Sequence, residues 1–474
     1  MIAVRVDDPV LPWQRAVLDG LERSERQFSV STVPSSRPRR SLAVRTYGKL
    51  DRWPSSIGRA DGEASAAAPD LVLDLAAGGV EVEASAPTLF LHPRELDEEA
   101  MLVQLTAGHQ VFRIEVRLKA AGVERRAATS TVALTRYSAR RSAERVRERT
   151  AALILRALDR FESRETWPVV EPAAAQSLRR AASSSVVRLI GGAAGAAAAL
   201  RLTRVDWRVA YGTARSDRPL AVPADLRHVP SPPGRFYADP FLATTPGGTF
   251  LFVEDFDLRL GRAGISVVDL STGEARSVLT AEHHFSYPFV FEVDGTWYML
   301  PEQATTGRVE LLRCEQFPDR WVTDTVLLEG VRAYDATLFR DGDVWWLFCA
   351  MGTGSACIDD ELHVWHATSF RGPFTPHPAN PVVSNVVGSR PAGRIVRHDG
   401  RLFRPAQDGS GEYGRAIVVN EILALTPTEY REQPVATLTA HDLGAAGIHT
   451  LDVAGDLAAI DTKHRVVRGF DRRR

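Results

Sequence analysis

Chemically capable side chains recur at one place in five stretches of the C-terminal half of this sequence: Asp239 after Tyr237, Tyr287, Asp335 after Tyr334, Arg390 with Arg394, and His449. A second tier follows a short way on, with Glu254 and Asp255, Glu302, Arg404 with Gln407 and Asp408, and Asp461. Carboxyl groups gathered from separate strands suit hydrolysis of a glycosidic bond, where one protonates the leaving oxygen and another activates water or attacks the anomeric carbon. Asp239, Glu302 and Asp335 are the candidates for that work. Arg390 and Arg394, around the Pro and Gly of SRPAGR, suit a bidentate grip on a carboxylate or phosphate. With Arg404 they nominate an anionic or phosphorylated sugar as ligand, and Tyr287, Asp408 and His449 stand beside them as substrate-binding candidates. The competing reading is structural: acids next to strand-capping turns bond backbone amides, and the arginines pair with the acids.

Other polar and aromatic positions carry less. His283 and His284 have no second His or Cys cluster at ligand spacing, so no metal is expected. No GxGxxG loop is present to cradle a dinucleotide, and no cofactor is expected. Trp297, Trp321, Trp345, Trp346 and Trp365 fall at strand positions and read as packing between sheets, with one or two available as a sugar-stacking platform.

The elements that must hold these residues repeat. YADPFLATTPGGTFLFVEDF, SYPFVFEVDGTWYMLPEQ, AYDATLFRDGDVWWLFCA, SRPAGRIVRHDGRLFRPAQD and IHTLDVAGDLAAIDTKH are each strand, tight turn, strand. Their turn glycines, Gly248, Gly295, Gly342, Gly400 and Gly455, are 47, 47, 58 and 55 residues apart, the length of a four-stranded sheet with its connections. This predicts an all-β five-bladed β-propeller whose first strands line the centre. After the last copy the chain ends one strand short, while VDWRVAY stands unassigned before the first copy, so the two ends are expected to share a blade.

Ahead of the propeller, residues 1–165 alternate strand-like and helix-like stretches and predict an α/β domain; 166–204 read as an Ala/Arg-rich linker with one short helix, and 205–474 as the propeller. The formal net charge of −1 and a charged fraction of 25% show no basic excess, which excludes nucleic acid as the favoured partner. Three cysteines do not make a disulfide framework, and the N-terminus meets Asp7 and Asp8 before any long apolar run, so a cytoplasmic protein with reduced thiols is expected. LIGGAAGAAAAL is 12 residues long, short of the about 20 a bilayer needs; with arginines on both sides it is suited to peripheral contact with a membrane.

The ordered motifs YADPFL, FVEDF, HFSYPFVFE, YMLPE, YDATLF, WWLF, RPAGR and RPAQD make the region from about Arg204 onward resemble the N-terminal domain of plant glucosamine inositolphosphorylceramide transferases. In that family the domain looks like an accessory to a separate glycosyltransferase domain, which implies a glycosyltransferase as partner. The region also resembles five-bladed glycosidases of the invertase and arabinanase type, whose acids come from the first, third and fourth blades. Asp239 and Asp335 match two of these positions; the fourth copy offers arginines where a Glu is expected, leaving Glu302 or Asp408 as substitutes. The N-terminal segment is faintly similar, through PDLVLDLA, to formyltransferase-like domains, without their Asn, His and Asp pattern, or to an unrelated Rossmann-like domain. Together these imply a carbohydrate-active or carbohydrate-binding protein of surface-glycan or glycolipid metabolism, with a non-catalytic scaffold or a glycoside hydrolase as alternatives.

Overall fold

The computed structural model describes residues 1–34, 44, 47, 49–51, 69–76, 86–170, 183–352 and 358–467, apart from 9, 95, 216 and 219. The chain divides into two units, one ending at Ala197 and the other beginning at Ala198.

The first unit is a mixed α/β domain. Its sheet runs β2-β1-β3-β4-β5-β6, with β1 (Ile2–Asp8), β2 (Phe28–Pro34), β3 (Leu71–Asp74) and β4 (Thr88–His92) parallel and β5 (Val111–Ala120) and β6 (Val123–Ala133) antiparallel at one edge. Continuous burial along Leu71–Asp74 is what a parallel strand covered on both faces requires. Helices α1 (Pro12–Arg23), α2 (Glu98–Thr106) and α3 (Ala139–Glu162) pack on it, α3 through a stripe of Ala143, Val146, Leu153, Ile154, Ala157 and Leu158. Asp97 and Ser138 cap α2 and α3 by accepting backbone N–H bonds.

The expected linker helix is α4 (Ser183–Leu202), 20 residues against the 12 of the uncharged run. Val186 is buried, and Gly192 lies so near Tyr137 that a Cβ there would approach its ring to 2.8 Å. No helix among the described residues is long and apolar enough to cross a membrane.

The second unit is a five-bladed β-propeller. Blade 1 is built from Arg235–Thr245, Gly248–Asp257, Arg262–Asp269 and Ala275–Leu279, and blade 2 from Ser286–Val293, Thr296–Glu302, Arg308–Gln316 and Arg320–Glu329. Blade 3 has Ala333–Asp341, Val344–Met351 and Glu361–Ala367, the last flanked by the short Thr375–Pro376 and Val383–Ser384. Blade 4 has Val387–Pro391, Arg401–Asp408, Ala416–Leu425 and Tyr430–Thr439. Blade 5 is closed by both ends of the propeller: Leu451–Ala454 and Leu457–Val467 from one, Thr203–Thr213 and Arg227–Val229 from the other, with Leu457 to Val467 paired residue by residue against Thr213 to Thr203. That closure removes the free edge an open ring would leave.

Local chemistry sets the hairpins and the inner strands. Asp294-Gly295 and Asp399-Gly400 both adopt positive φ, as a two-residue hairpin turn matching the strand twist demands. Asp239, Tyr287 and Asp335 also have positive φ (46°, 43° and 55°), and each lies at a break in register between the first and second strands of its blade. Such bulges aim a side chain away from the ladder at a cost of about 1–3 kcal/mol each. The repeat of this device in three blades, at the residue types singled out above, makes it the feature that builds the centre of the ring.

Candidate functional site

The polar residues at the ring's centre are joined blade to blade. Asp461 of blade 5 accepts a bond from the Asp239 amide of blade 1 (3.1 Å), and its other oxygen accepts the amides of His449 (2.9 Å) and Thr450 (3.0 Å). Asp239 in turn accepts the Tyr287 amide of blade 2 (3.1 Å) and the Thr450 hydroxyl (2.6 Å). The Tyr287 hydroxyl meets Thr337 of blade 3 (2.9 Å) and accepts the Gly393 amide of blade 4 (2.8 Å). Asp335 of blade 3 is held by Arg390 (2.6 and 3.2 Å) and Gln407 (2.8 Å), both of blade 4. Arg394 of blade 4 donates to Asp452 of blade 5 (2.6 and 3.0 Å), and also to the carbonyls of Leu242 (3.2 Å) and Val290 (3.4 Å) in blades 1 and 2. The circuit closes where Asp452 accepts the Leu242 amide (2.8 Å).

Of the residues nominated from sequence, Asp239, Asp335, Tyr287, Arg390, Arg394 and His449 are therefore brought together, each engaged in a bond that spans blades or supports one. Arg404 is elsewhere: fully buried, it forms a bidentate pair with Glu432 on the outermost strand of its own blade (2.9 and 2.6 Å) and donates to the Gly388 carbonyl (2.6 Å). Asp408 accepts the Ser410 amide (2.9 Å) at the start of the 409–415 loop. Glu302 is partly exposed, and its oxygens take the Ser286 hydroxyl and the Ala304 amide (both 2.6 Å), bonds within its own blade.

The electrostatics of this centre follow from crowding acids in a dry ring. Burial, reinforced by Asp239, Glu302, Asp461 and Asp335, holds Glu254 well above the usual carboxylate range. Its nearest ionic partner is His284 at 3.4 Å. Burial also pushes Asp335 up to about 6, against the opposing pull of Arg390. Burial works to lower His449, but Asp461 (2.6 Å from Nδ1) and Asp239 (3.4 Å from Nε2) outweigh it and raise the imidazole. Asp239, His449 and Asp461 present ligand-type atoms within 4.8 Å of one another. Both imidazole nitrogens face carboxylates, the arrangement of a protonated His clamped between two anions, and a metal at this place would have to displace that proton.

Two residues of the site, Asp452 and Tyr413, lie outside both tiers read from the sequence. Glu254 belongs to the second tier, but its proton-holding character depends on acids from other blades. Asp452 stands where the first three copies have Leu242, Val290 and Leu338, and an acid replacing an apolar inner-strand residue was the available signal. Tyr413, in the loop after the fourth copy, is 44% exposed although Arg390, Asp239, Asp335 and Glu254 all act on its phenol. The tryptophans serve the packing role: Trp321 stands edge-on to Phe252, Trp297 tilts on Phe317, and Trp345 lies between Phe291 and Phe370. Cys314 and Cys349 are free and buried; Cys357 lies outside the described residues.

A closed five-bladed propeller with a charged, inter-blade polar centre defines the class. Residues 213–447 match the family model described as "Glucosamine inositolphosphorylceramide transferase 1, N-terminal". The chain is similar to glucosamine inositolphosphorylceramide transferase 1 of Oryza sativa subsp. japonica, 35% identical over 211 residues (43% of this chain, 28% of the relative). Its similarity to that of Arabidopsis thaliana is 32% over 241 residues (49% of this chain, 31% of the relative). The chain thus spans less than a third of the length of these curated relatives. Among solved structures it is similar to a family 117 glycoside hydrolase from Zobellia galactanivorans (10% identity, 54% of this chain, 90% of that one, TM-score 0.36). A second is an α-L-arabinofuranosidase from Lactobacillus brevis (15% identity, 46% and 79%, TM-score 0.35).

Proposed function

We propose that the propeller is a sugar-binding module in glycolipid or surface-glycan metabolism, and that it takes a hydroxyl-rich or aminated sugar at the centre of the ring. The relatives' printed names support the sugar and glycolipid part of this reading. The observation that carries the finer part is the state of the arginines. Arg390, Arg394 and Arg404 are each matched to a carboxylate, Asp335, Asp452 and Glu432 respectively, so an anionic sugar would have to break a buried pair to be gripped. Carboxyl groups are what remains: the Glu302 carboxylate can accept from a hydroxyl or an ammonium, and the protonated Glu254 can share its proton with a hydroxyl. The test is saturation-transfer NMR of the full chain with glucosamine, N-acetylglucosamine, methyl mannoside, glucuronate and glucosamine 6-phosphate. Binding of the amino or neutral sugars is expected; binding confined to the acidic and phosphorylated ones would restore the anionic reading in place of this one.

Glycoside hydrolysis is the second reading, and Glu254 favours it. A carboxyl kept protonated among ionised neighbours is the property a general acid needs. Asp239 suits the base less well, since both its oxygens already accept bonds from blades 2 and 5. Release of reducing sugar from a broad glycan panel, lost in Glu254→Gln, would establish it; no turnover on that panel would leave binding, with a separate glycosyltransferase as the partner that supplies chemistry.

A further inference from the structure

The loop 409–415 leaves the fourth blade between its second and third strands and is fixed from several sides. Asp408 accepts the Ser410 amide at 2.9 Å, and Arg415 donates to the Ser410 hydroxyl. Lys463, itself buried, donates to Glu412 at 3.2 Å and to the Tyr413 carbonyl, and Arg465 adds a second contact to Glu412 at 3.1 Å. The Gly414 carbonyl accepts the Ile448 amide at 2.8 Å. Gly414 has φ +69° and lies against Trp207, where a Cβ would come within 2.6 Å of the indole, so only glycine fits this corner.

All of this holds one side chain in place. Tyr413 meets His449 and Trp207 edge-on (centroids 5.1 and 6.2 Å apart), and the Arg390 guanidinium lies over its ring at 5.4 Å, with Tyr334 on that guanidinium's other contact at 5.3 Å. Even so the residue is 44% exposed, while the charges of Arg390, Asp239, Asp335 and Glu254 all reach its phenol. Its ring is thus packed by protein on some sides and open to water on the rest. Its hydroxyl makes no hydrogen bond among the described residues, so the phenol is fixed by ring contacts while its polar end is left for another partner.

We propose that Tyr413 is the stacking platform on which a pyranose ring rests. This rests on the sugar-binding reading above and names the residue that orients the ligand. A pyranose has one face of C–H groups, which suits the electron-rich face of an aromatic ring, and an edge of hydroxyls, which suits carboxyl groups. A rigid mount matters because an aromatic held in place loses little entropy when the ligand arrives.

The experiment measures binding of glucosamine and N-acetylglucosamine to the full chain by saturation-transfer NMR, for wild type, Tyr413→Ala, Tyr413→Phe and Tyr413→Trp, with thermal melts alongside. Tyr413→Ala is expected to weaken binding about ten-fold or more and to stay folded at the assay temperature, while Phe and Trp keep affinity within about three-fold, a loss of under about 1 kcal/mol. Equal affinity in wild type and Tyr413→Ala would overturn the platform and leave the sugar reading standing. Absence of binding by wild type would overturn both together. A melting temperature that falls with the affinity in Tyr413→Ala, and in Tyr413→Phe as well, would mark a structural role and overturn the proposal.

Discussion

Two tiers of polar residues share the centre of this propeller and are built on different principles. The inner circuit of Asp461, Asp239, Tyr287, Asp335, Arg390, Arg394 and Asp452 spends its bonding capacity on neighbouring blades. Glu302 bonds within its own blade, the Glu254 side chain lies 3.4 Å from His284, and the Tyr413 side chain makes ring contacts without a hydrogen bond among the described residues. The difference teaches that a ring of charged residues at a propeller's axis is not by itself a ligand site. Five sheets that meet edge to edge around an axis leave polar inner ends facing one another, and bonds between them settle that frustration.

The comparison breaks most visibly if the circuit is cut. Asp335→Ala leaves the Arg390 guanidinium buried without its counter-charge and is expected to cost about 3–5 kcal/mol, read as a fall in melting temperature of roughly 10 °C; an unchanged melt would show that the circuit does not fasten the blades. Next in size is Arg394→Met, which removes contacts to blades 1, 2 and 5 at once and strands Asp452. A loss of roughly 3 kcal/mol in denaturant unfolding is the expected result.

Glu254→Gln sharpens the contrast in the other direction. Because the folded state holds this proton more tightly than the unfolded chain does, the group's contribution is present at low pH and is lost as pH rises through its raised folded value. The neutral amide should therefore be more stable than wild type at pH 8 by on the order of 1 kcal/mol and equal to it near pH 4, as read from paired melts. Destabilisation at pH 8 would show that the ionised form is the one the fold prefers. Smallest in stability is Tyr413→Ala, a loss of under about 1 kcal/mol from its contacts with Trp207, His449 and Arg390, since its main effect is expected in binding.

Much of the ring was legible in the sequence because it is local. Strand-turn-strand copies, Asp-Gly turns and the stray strand VDWRVAY are patterns over a few residues, and the pairing of Val205 with Arg465 follows once closure is required. Partnership at the centre is not local: Asp239 and Asp461 are 222 residues apart, and Arg394 and Asp452 are 58 apart. Residue types therefore announced a polar ring without saying which members were already satisfied, and Arg404 shared their spacing while its side chain serves an outer strand. Tyr413 gave no periodic signal because it lies in a loop outside the copies, and its mount draws on Lys463 and Ile448, which come from the far end of the chain.

The most direct test of the two-tier account is the affinity for one bound sugar measured by titration in Asp239→Asn and Glu302→Gln, at a temperature where both are folded. Asp239→Asn is predicted to bind within about three-fold of wild type while melting earlier, and Glu302→Gln to lose about ten-fold or more in affinity. Loss of binding in Asp239→Asn with full affinity in Glu302→Gln would contradict it, placing the ligand on the inner circuit instead.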